Sequence, residues 1–264
     1  DIEFCFNLAE GHITSLVENG MELFHGQQGP VFNWYRSIDN APRGYEHTEL
    51  IVKNATWDIA DDGLTATVTT QMEAKVGNAQ PVNYTVDYTV YANGTVDVAA
   101  SFTTPEHFNL PRLGLTAMIN PALDNLTWFG YGPMENYPDR HNAARIGLYK
   151  TNVDAMAEHY VRAQSMGERC DTRWLTLTDK RGEGLKILAS TPLAFSALHF
   201  TDKDLWQAKY GHNRPSIRRN EVVLTLDCAQ TGLGNASCGP GPEPQYKLKP
   251  STTYSYSFRI IPVR

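Results

Sequence analysis

The sequence is poor in the residue patterns that mark metal centres and disulfide-stabilised folds. Its 264 residues include only four cysteines, and no two of them form a C-x-x-C pair. The eight histidines also occur singly, without H-x-H or H-x-x-x-H spacing. Zinc sites and small disulfide scaffolds depend on such patterns. We therefore predict no metal site and no cofactor in this chain.

Long apolar runs and an excess of positive charge are missing as well. No segment is long and apolar enough to form a membrane-spanning helix. Lys and Arg number 23 against 29 Asp and Glu, which gives a net charge of −6. Because a phosphate backbone attracts a basic protein face, we predict neither nucleic acid nor membrane as a partner. The 41% of hydrophobic residues is typical of a globular protein.

What the sequence does contain is a period-2 alternation of apolar residues, which indicates β-strands. Alternate residues from Tyr84 to Val90 are apolar, and those from Val96 to Phe102 continue the pattern after an Asn93-Gly94 pair. This pair predicts a β-hairpin with a two-residue type I′ turn. Further strands are predicted at Glu49 to Ile59, Leu64 to Val76, Arg112 to Ile119, Arg173 to Thr178, Leu185 to Ala189, Glu221 to Leu226 and Thr253 to Ile261.

This distribution of strands predicts an all-β, antiparallel sandwich. Strands and helices do not alternate along the chain, which excludes a (β/α)8 barrel within it. One short helix is predicted from Thr201 to Trp206, because Thr201 can cap it and acidic residues follow. We expect at most one or two short helices in total.

The segment from Trp128 to Arg140 has the most unusual composition in the chain. It combines aromatic residues with two glycines, two prolines and the pair Asp139-Arg140. Flat apolar rings beside directed polar groups suit the C–H face and hydroxyl rim of a pyranose. The same composition also suits a rigid corner between strands, with Asp139 paired to Arg140. The residues alone leave both interpretations open.

The run Gly130-Tyr-Gly-Pro-Met-Glu-Asn-Tyr-Pro-Asp-Arg140 resembles the G-x-G-P-x-E-N-Y-P-D-R segment in the C-terminal domain of family 2 β-galactosidases. Four further stretches follow the order of that domain and extend the resemblance over nearly the whole chain. They are Phe4 to Asn7 with Gly11 to Leu16, Gly29 to Arg36 with Ile38 to Asn40, Gly167 to Trp174, and Thr231 to Pro240.

The resemblance implies one domain over residues 1–264, a β-supersandwich of the galactose-mutarotase-like kind, as the C-terminal piece of a larger β-galactosidase. It also implies an extended rather than helical segment from Val153 to Gln164. The chain starts at Asp1, so a missing secretory signal does not indicate its compartment. We expect a cytoplasmic or periplasmic bacterial protein.

In the family resembled, the catalytic glutamates lie on a separate barrel, so this chain alone is expected to be inactive, with no catalytic residue. Any Mg²⁺ or Na⁺ would bind in that barrel. The expected partners are the other domains of the same enzyme and a galactoside sugar at the domain edge, and the full-length enzyme is expected to be a homo-oligomer.

A loop from this domain is expected to reach the sugar site. In the family that loop carries a Trp, where this chain has Cys238, so the aromatic platform and the preference for lactose are in doubt. Trp206 or Tyr246 could replace it, although core packing is the expected role of Trp206. The predicted sugar-contacting residues are Asn235, Ser237 and Cys238, and from the turn Glu135, Asn136, Tyr137, Asp139 and Arg140.

Carboxylates near the motifs are predicted to be ion-paired rather than catalytic. Arg140 is the expected partner of Glu135 and Asp139, and Arg169 and Arg173 are the expected partners of Glu168. Pairing with Arg lowers the pKa of a carboxyl, which is the opposite of what a general acid requires.

Two other functions remain open from the sequence. A free-standing aldose epimerase would need a His acid and a Glu base, for which His199 or His141 with Glu135 or Glu221 are the candidates. A carbohydrate-binding module would use the aromatic turn from Trp128 to Tyr137. Fold alone does not separate these functions.

Overall fold

A computed structural model describes residues 2–38, 44–107, 109–235 and 239–264. Within these ranges the strands are β1 Ile2–Asn7, β2 His12–Glu18, β3 Met21–Glu22, β4 Val31–Asn33, β5 Glu49–Ile59, β6 Thr65–Lys75, β7 Val82–Tyr91, β8 Val96–Thr103, β9 Arg112–Ile119, β10 Asn125–Gly132, β11 Arg145–Asn152, β12 Arg169–Thr178, β13 Gly184–Leu198, β14 Val222–Gln230 and β15 Thr253–Val263. The α-helices are α1 Asp202–Ala208 and α2 Arg214–Ile217, and short 3-10 turns occur at Tyr45–His47, Asp154–Met156, Gly211–Asn213 and Pro244–Tyr246.

All the strand pairs in these ranges are antiparallel. A small sheet has the order β1-β2-β3, and a 12-stranded sheet follows the path β11-β10-β12-β13-β15-β8-β7-β6-β5. A branch adds β14, β9 and β4 to this path through β13. The predicted all-β antiparallel sandwich with at most two short helices is therefore confirmed.

The long strand β13 joins the branch to the main path. Its first half, Gly184 to Ala189, pairs with β15, whereas its second half, Ala194 to Leu198, pairs with β14. The sequence pattern predicted only the first half of this strand, because the run after Ala189 interrupts the apolar alternation with Ser, Thr and Pro.

The core lies between the facing strands and is rich in aromatic side chains. Phe32 on β4 stacks on Tyr84 of β7 with ring centroids 4.7 Å apart, and Phe102 of β8 lies 5.5 Å from the same Phe32 ring. Such ring pairs contribute about 0.5–1.5 kcal/mol beyond the area that they bury. They link the branch of the sheet to its main path.

The β7–β8 hairpin is present, but the prediction of a two-residue type I′ turn is wrong. Three residues separate Tyr91 from Thr95, and the Tyr91 N–H donates to the Thr95 carbonyl over 2.9 Å. Only Gly94 has a positive φ, of 83°, whereas a type I′ turn needs two such residues. The Asn93 side chain instead accepts a hydrogen bond from the Thr95 N–H.

The predicted short helix is confirmed as α1. Thr201 is its N-cap: the Thr201 hydroxyl accepts from the Asp204 N–H over 3.1 Å, and the Asp204 carboxylate accepts from the Thr201 N–H over 2.9 Å. This reciprocal pair gives hydrogen-bond acceptors to two backbone N–H groups that have no acceptor within the helix. The segment from Val153 to Gln164 contains no α-helix, only the 3-10 turn at Asp154–Met156, which agrees with the prediction that it is not helical. No described helix has the length and apolar character needed to cross a membrane.

Candidate functional site

The turn at residues 135–140, after β10, forms hydrogen bonds with the loop at residues 231–235, after β14. The Asp139 carboxylate accepts hydrogen bonds from the N–H groups of Leu233 and Gly234, over 2.9 and 2.7 Å. The Arg140 guanidinium donates to the carbonyl of Gly234 and, at 3.5 Å, to the side-chain oxygen of Asn235. Two motifs that are far apart in sequence therefore form one unit.

The predicted pairing of Asp139 with Arg140 is wrong. No ion pair joins these two side chains among the contacts of the described residues. The turn itself is closed by the backbone, with the Arg140 N–H donating to the Tyr137 carbonyl over 2.8 Å. This geometry leaves both side chains free to reach the loop, so each of them binds backbone groups of residues 233–235.

The other predicted residues of the turn bind the first residues of β12 and the segment that precedes it. The Glu135 carboxylate accepts from the Gly167 N–H over 2.9 Å and from the Tyr160 hydroxyl. Asn136 is buried, and its side-chain oxygen accepts from the Cys170 N–H over 2.8 Å. Tyr137 is buried beside them. These contacts fix the turn, and a sugar contact for Glu135, Asn136 and Tyr137 stays a prediction.

Ser237 and Cys238, two of the predicted sugar-contacting residues, lie outside the described residues. Of the two aromatic side chains proposed to replace the family Trp, Tyr246 lies beside the loop: its carbonyl accepts from the Gly232 N–H over 2.7 Å. Trp206 on α1 is only half-buried, and the Arg162 guanidinium lies 5.4 Å from its ring centroid. The expectation of core packing for Trp206 is therefore wrong.

A buried cluster of charged residues lies next to this unit, and the sequence patterns do not predict most of it. Arg112 on β9 forms a bidentate pair with Asp227 on β14 and binds Asp202 of α1 over 3.2 Å. Arg36, after β4, donates to the carbonyl of Thr231 over 2.7 Å. One available signal was a charged residue in each of two apolar strands, at the start of β9 and in the interior of β14.

Glu168 belongs to this cluster, so its predicted role in an ion-paired loop with Arg169 and Arg173 is wrong. It is 3% exposed, and its nearest cation is Nη2 of Arg112, 3.9 Å from one carboxylate oxygen. Burial and the nearby Asp227 raise the pKa of Glu168 to about 8. Asp227 has the closer bond to Arg112, so we assign the negative charge to Asp227 and the proton to Glu168 at neutral pH.

This cluster lines a cavity of about 320 Å³. The residues around the cavity include Arg36, Arg112, Glu168 and Asp202 and also aromatic residues such as Trp34. No three His, Cys, Asp or Glu side chains in the described part of the chain form a group suited to a metal ion.

The histidines considered for an epimerase do not face this cavity. His199 is buried, and one of its ring nitrogens lies 2.9 Å from the backbone carbonyl of Glu221 rather than from its carboxylate. The Glu221 carboxylate instead binds Arg219 over 3.0 Å. His141 stacks on Tyr131, with ring centroids 5.4 Å apart. Neither histidine converges with a nominated glutamate on a common open space.

Comparison with known proteins decides the family. The family model described as β-galactosidase small chain matches residues 1–260. This chain belongs to the β-galactosidase small-chain family. The family resemblance drawn from the five sequence stretches is thereby confirmed.

Curated relatives of the chain are much longer proteins. The β-galactosidase of Priestia megaterium is 32% identical over 183 residues, which are 67% of this chain and 17% of that protein. The β-galactosidase of Halalkalibacterium halodurans is 25% identical over 280 residues, or 98% of this chain and 26% of that protein. The chain thus spans about a quarter or less of these relatives. A solved aldose epimerase homologue from C. elegans is 12% identical, with a TM-score of 0.46, and covers 95% of this chain and 78% of that structure.

Proposed function

We propose that this chain is the C-terminal, non-catalytic domain of a β-galactosidase, one domain over residues 1–264. It supports the catalytic barrel and positions the loop that follows β14 at the sugar site. The full-length enzyme hydrolyses terminal β-galactosides such as lactose, binds any Mg²⁺ or Na⁺ in its barrel and assembles as a homo-oligomer. The small-chain family match and the long β-galactosidase relatives support this proposal.

The observation that carries the proposal is the attachment of the loop to the turn. Hydrogen bonds from backbone N–H groups to an ionised carboxylate are about twice as strong as neutral ones. Asp139 accepts two of them from Leu233 and Gly234. A loop bound in this way keeps its position before the sugar binds. Residues that orient a substrate must be positioned in advance in this manner.

We propose further that hydrolysis is retaining and that the isolated chain is inactive. A retaining glycosidase needs two carboxyl groups about 5–5.5 Å apart on either side of the glycosidic bond. Among the described residues, the carboxyl groups of Glu168 and Asp227 are both buried and share Arg112 instead. The Asp227 carboxylate is placed to stabilise this cation rather than to flank a substrate bond.

The test compares Asp139→Asn with Asp58→Asn in the full-length enzyme. Both changes remove one negative charge, but Asp58 is exposed on β5, away from the loop. Loss of one charge-assisted bond of about 1.5–3 kcal/mol predicts a roughly tenfold or greater fall in kcat/KM for a chromogenic galactoside with Asp139→Asn only. Equal activity of the two variants would contradict the proposal.

The isolated chain provides a second test, with the epimerase as the competing function. We expect no release of nitrophenol from a nitrophenyl β-galactoside and no acceleration of galactose mutarotation in a polarimeter. Release of nitrophenol would place the catalytic groups in this chain. Faster mutarotation would favour the epimerase over the supporting domain.

A further inference from the structure

The end of β5 and the turn that follows it carry three large apolar side chains that are exposed. Trp57, Ile59 and Leu64 leave 62%, 55% and 58% of their surfaces accessible to solvent. Trp57 and Ile59 are two residues apart on one face of the strand, and Leu64 lies two residues before Ala66, the partner of Ile59 in β6. The three side chains are therefore neighbours and form one apolar patch. Single exposed apolar residues are ordinary in proteins, whereas a contiguous patch marks an interaction site.

The patch lies on the face of the large sheet that elsewhere forms the core. Paired residues of adjacent strands lie on the same face of a sheet. Trp57 is paired with Val68 of β6, Val68 is paired with Tyr88 of β7, and both partners are buried in the core. Among the described strands β5 pairs with β6 alone, so β5 is the edge of the sheet. Trp57 is thus a core-facing residue on an edge strand that lacks a cover.

The small sheet β1-β2-β3 covers this face only in part. Phe6 of β1 packs edge to face on Tyr88, with ring centroids 5.1 Å apart. The turn between β1 and β2 reaches the middle of β5, because a Cβ atom placed on Gly11 would lie 3.3 Å from a methyl carbon of Val52. Trp57 and Ile59 come later on β5 and remain exposed. The cover therefore ends between Val52 and Trp57.

The strand of the small sheet that is nearest to the patch has an unpaired edge. β1 forms backbone pairs with β2 only, among the strands that the structure describes. β2 lies on the side of β1 away from β5, because Glu18 at its end forms an ion pair with Arg264, which follows β15. In the large sheet β8, β7 and β6 separate β15 from β5. The unpaired edge of β1 therefore faces the patch, and such an edge can accept another strand.

The charged side chains beside the patch are negative. Glu3 on β1 and the pair Asp61-Asp62 in the turn after β5 are exposed. Residues 1–35 and 54–74, which include β1 and the end of β5, contain no Lys or Arg. Two copies of this surface in a two-fold dimer would bring these carboxylates together, and like charges at an interface weaken binding. A different partner with Lys or Arg beside its apolar residues would be attracted.

We propose that an extended segment from another domain of the full-length enzyme binds here. It pairs with the free edge of β1, packs alternate apolar residues on Trp57, Ile59 and Leu64, and places Lys or Arg next to Asp61 and Asp62. This proposal rests on the proposed function, which makes the chain one domain of a longer protein. The residues matched by this chain are only 17% and 26% of two β-galactosidase relatives, so a protein of that length has ample chain to supply the segment.

Hydroxyl-radical footprinting read by mass spectrometry tests the cover directly. The oxidation rate of Trp57 is compared between the full-length enzyme and the 264-residue chain, each normalised to an added reporter peptide. We expect Trp57 and Leu64 to be oxidised severalfold more slowly in the full-length enzyme, because the bound segment excludes solvent from the patch. The measurement uses unmodified protein and does not depend on the folding of a variant.

Two variants made in both proteins test the energetic contribution of the patch. Trp57→Lys places a charge in the patch, and Thr56→Lys places the same charge on the opposite face of β5, where Thr56 is exposed. We expect Trp57→Lys to lower the thermal unfolding midpoint of the full-length enzyme by several degrees and to leave that of the 264-residue chain unchanged. Thr56→Lys should leave both midpoints unchanged.

Equal oxidation of Trp57 in the two proteins, or equal midpoints of the two full-length variants, would overturn the proposal. Protection of Trp57 in the 264-residue chain that is lost on dilution would assign the surface to a second copy, which also overturns it. Galactoside hydrolysis is measured separately. An active full-length enzyme with an unprotected Trp57 would refute this surface and leave the proposed function standing, and a longer protein that protects Trp57 without hydrolysing galactosides would do the reverse.

Discussion

Gly232 lies directly against the carboxylate of Asp139. A Cβ atom placed on Gly232 would be 2.6 Å from Cγ of Asp139, a distance that no pair of unbonded carbons tolerates. The carboxylate cannot move away without loss of its bonds to the N–H groups of Leu233 and Gly234. The small size of residue 232 is therefore part of the mechanism that attaches the loop.

We expect Gly232→Ala to detach the loop from the turn. Overpacking of this kind costs about 1–3 kcal/mol in the free energy of unfolding, which urea denaturation can measure. The matched control is Gly241→Ala in the same loop, because a Cβ on Gly241 meets no atom within 4 Å. If both variants unfold at the same urea concentration, the close contact between residues 139 and 232 does not affect the free energy of unfolding.

The raised pKa of Glu168 predicts a pH dependence of stability. Between its ordinary value of 4.5 and about 8, the folded state holds a proton that the unfolded state releases. Raising the pH through this window therefore lowers stability, by up to about 1.4 kcal/mol per pH unit. Glu168→Gln cannot titrate, so the stability difference between variant and parent should grow from pH 5 to pH 8. Urea unfolding at four pH values measures it, and parallel curves would refute the assignment of the proton to Glu168.

Arg112 is expected to be the most sensitive residue of the buried cluster. Arg112→Met leaves Asp227 and Asp202 without their cation, and breaking a buried ion pair from one side costs about 3–5 kcal/mol. The double variant Arg112→Met with Asp227→Leu removes both charges and should recover part of that loss. A double-mutant cycle from urea unfolding gives the coupling energy. Additive effects would show that the two side chains do not stabilise each other.

The cap of α1 offers a prediction about a single hydroxyl group. Thr201→Ala removes the acceptor of the Asp204 N–H and should lower the free energy of unfolding by about 0.5–2 kcal/mol. Thr201→Ser keeps the hydroxyl group and should lie close to the parent. Thermal unfolding of the three proteins provides the comparison, and an equal loss in both variants would assign the effect to packing of the methyl group.

Strands and the helix cap could be predicted from the sequence because their causes are local. Glu49 to Ile59 was predicted with the bounds that the structure has, and Thr201 was predicted as a cap. The turn at Asn93 was less predictable. Its side chain forms a hydrogen bond to the Thr95 N–H that competes with the type I′ geometry.

The contacts of the site could not be predicted because they join distant segments. Asp139 could be seen next to Arg140 in the sequence, but its partners Leu233 and Gly234 come from a loop beyond β14. Glu168 likewise lies next to Arg169 in the sequence, whereas the fold turns it towards Arg112. Solvent weakens an exposed ion pair between sequence neighbours, but it does not weaken a contact between buried groups. The contacts with distant segments therefore form in preference to the neighbouring ion pairs.

The strand Thr253–Val263 is the last of the described strands, and it lies in the middle of the large sheet between β13 and β8. Until these residues leave the ribosome, β8 and β13 have exposed edges that can pair with other chains. A product truncated before Thr253 would lack the strand that joins the two halves. Nascent and truncated chains therefore need protection from aggregation until synthesis has passed Val263.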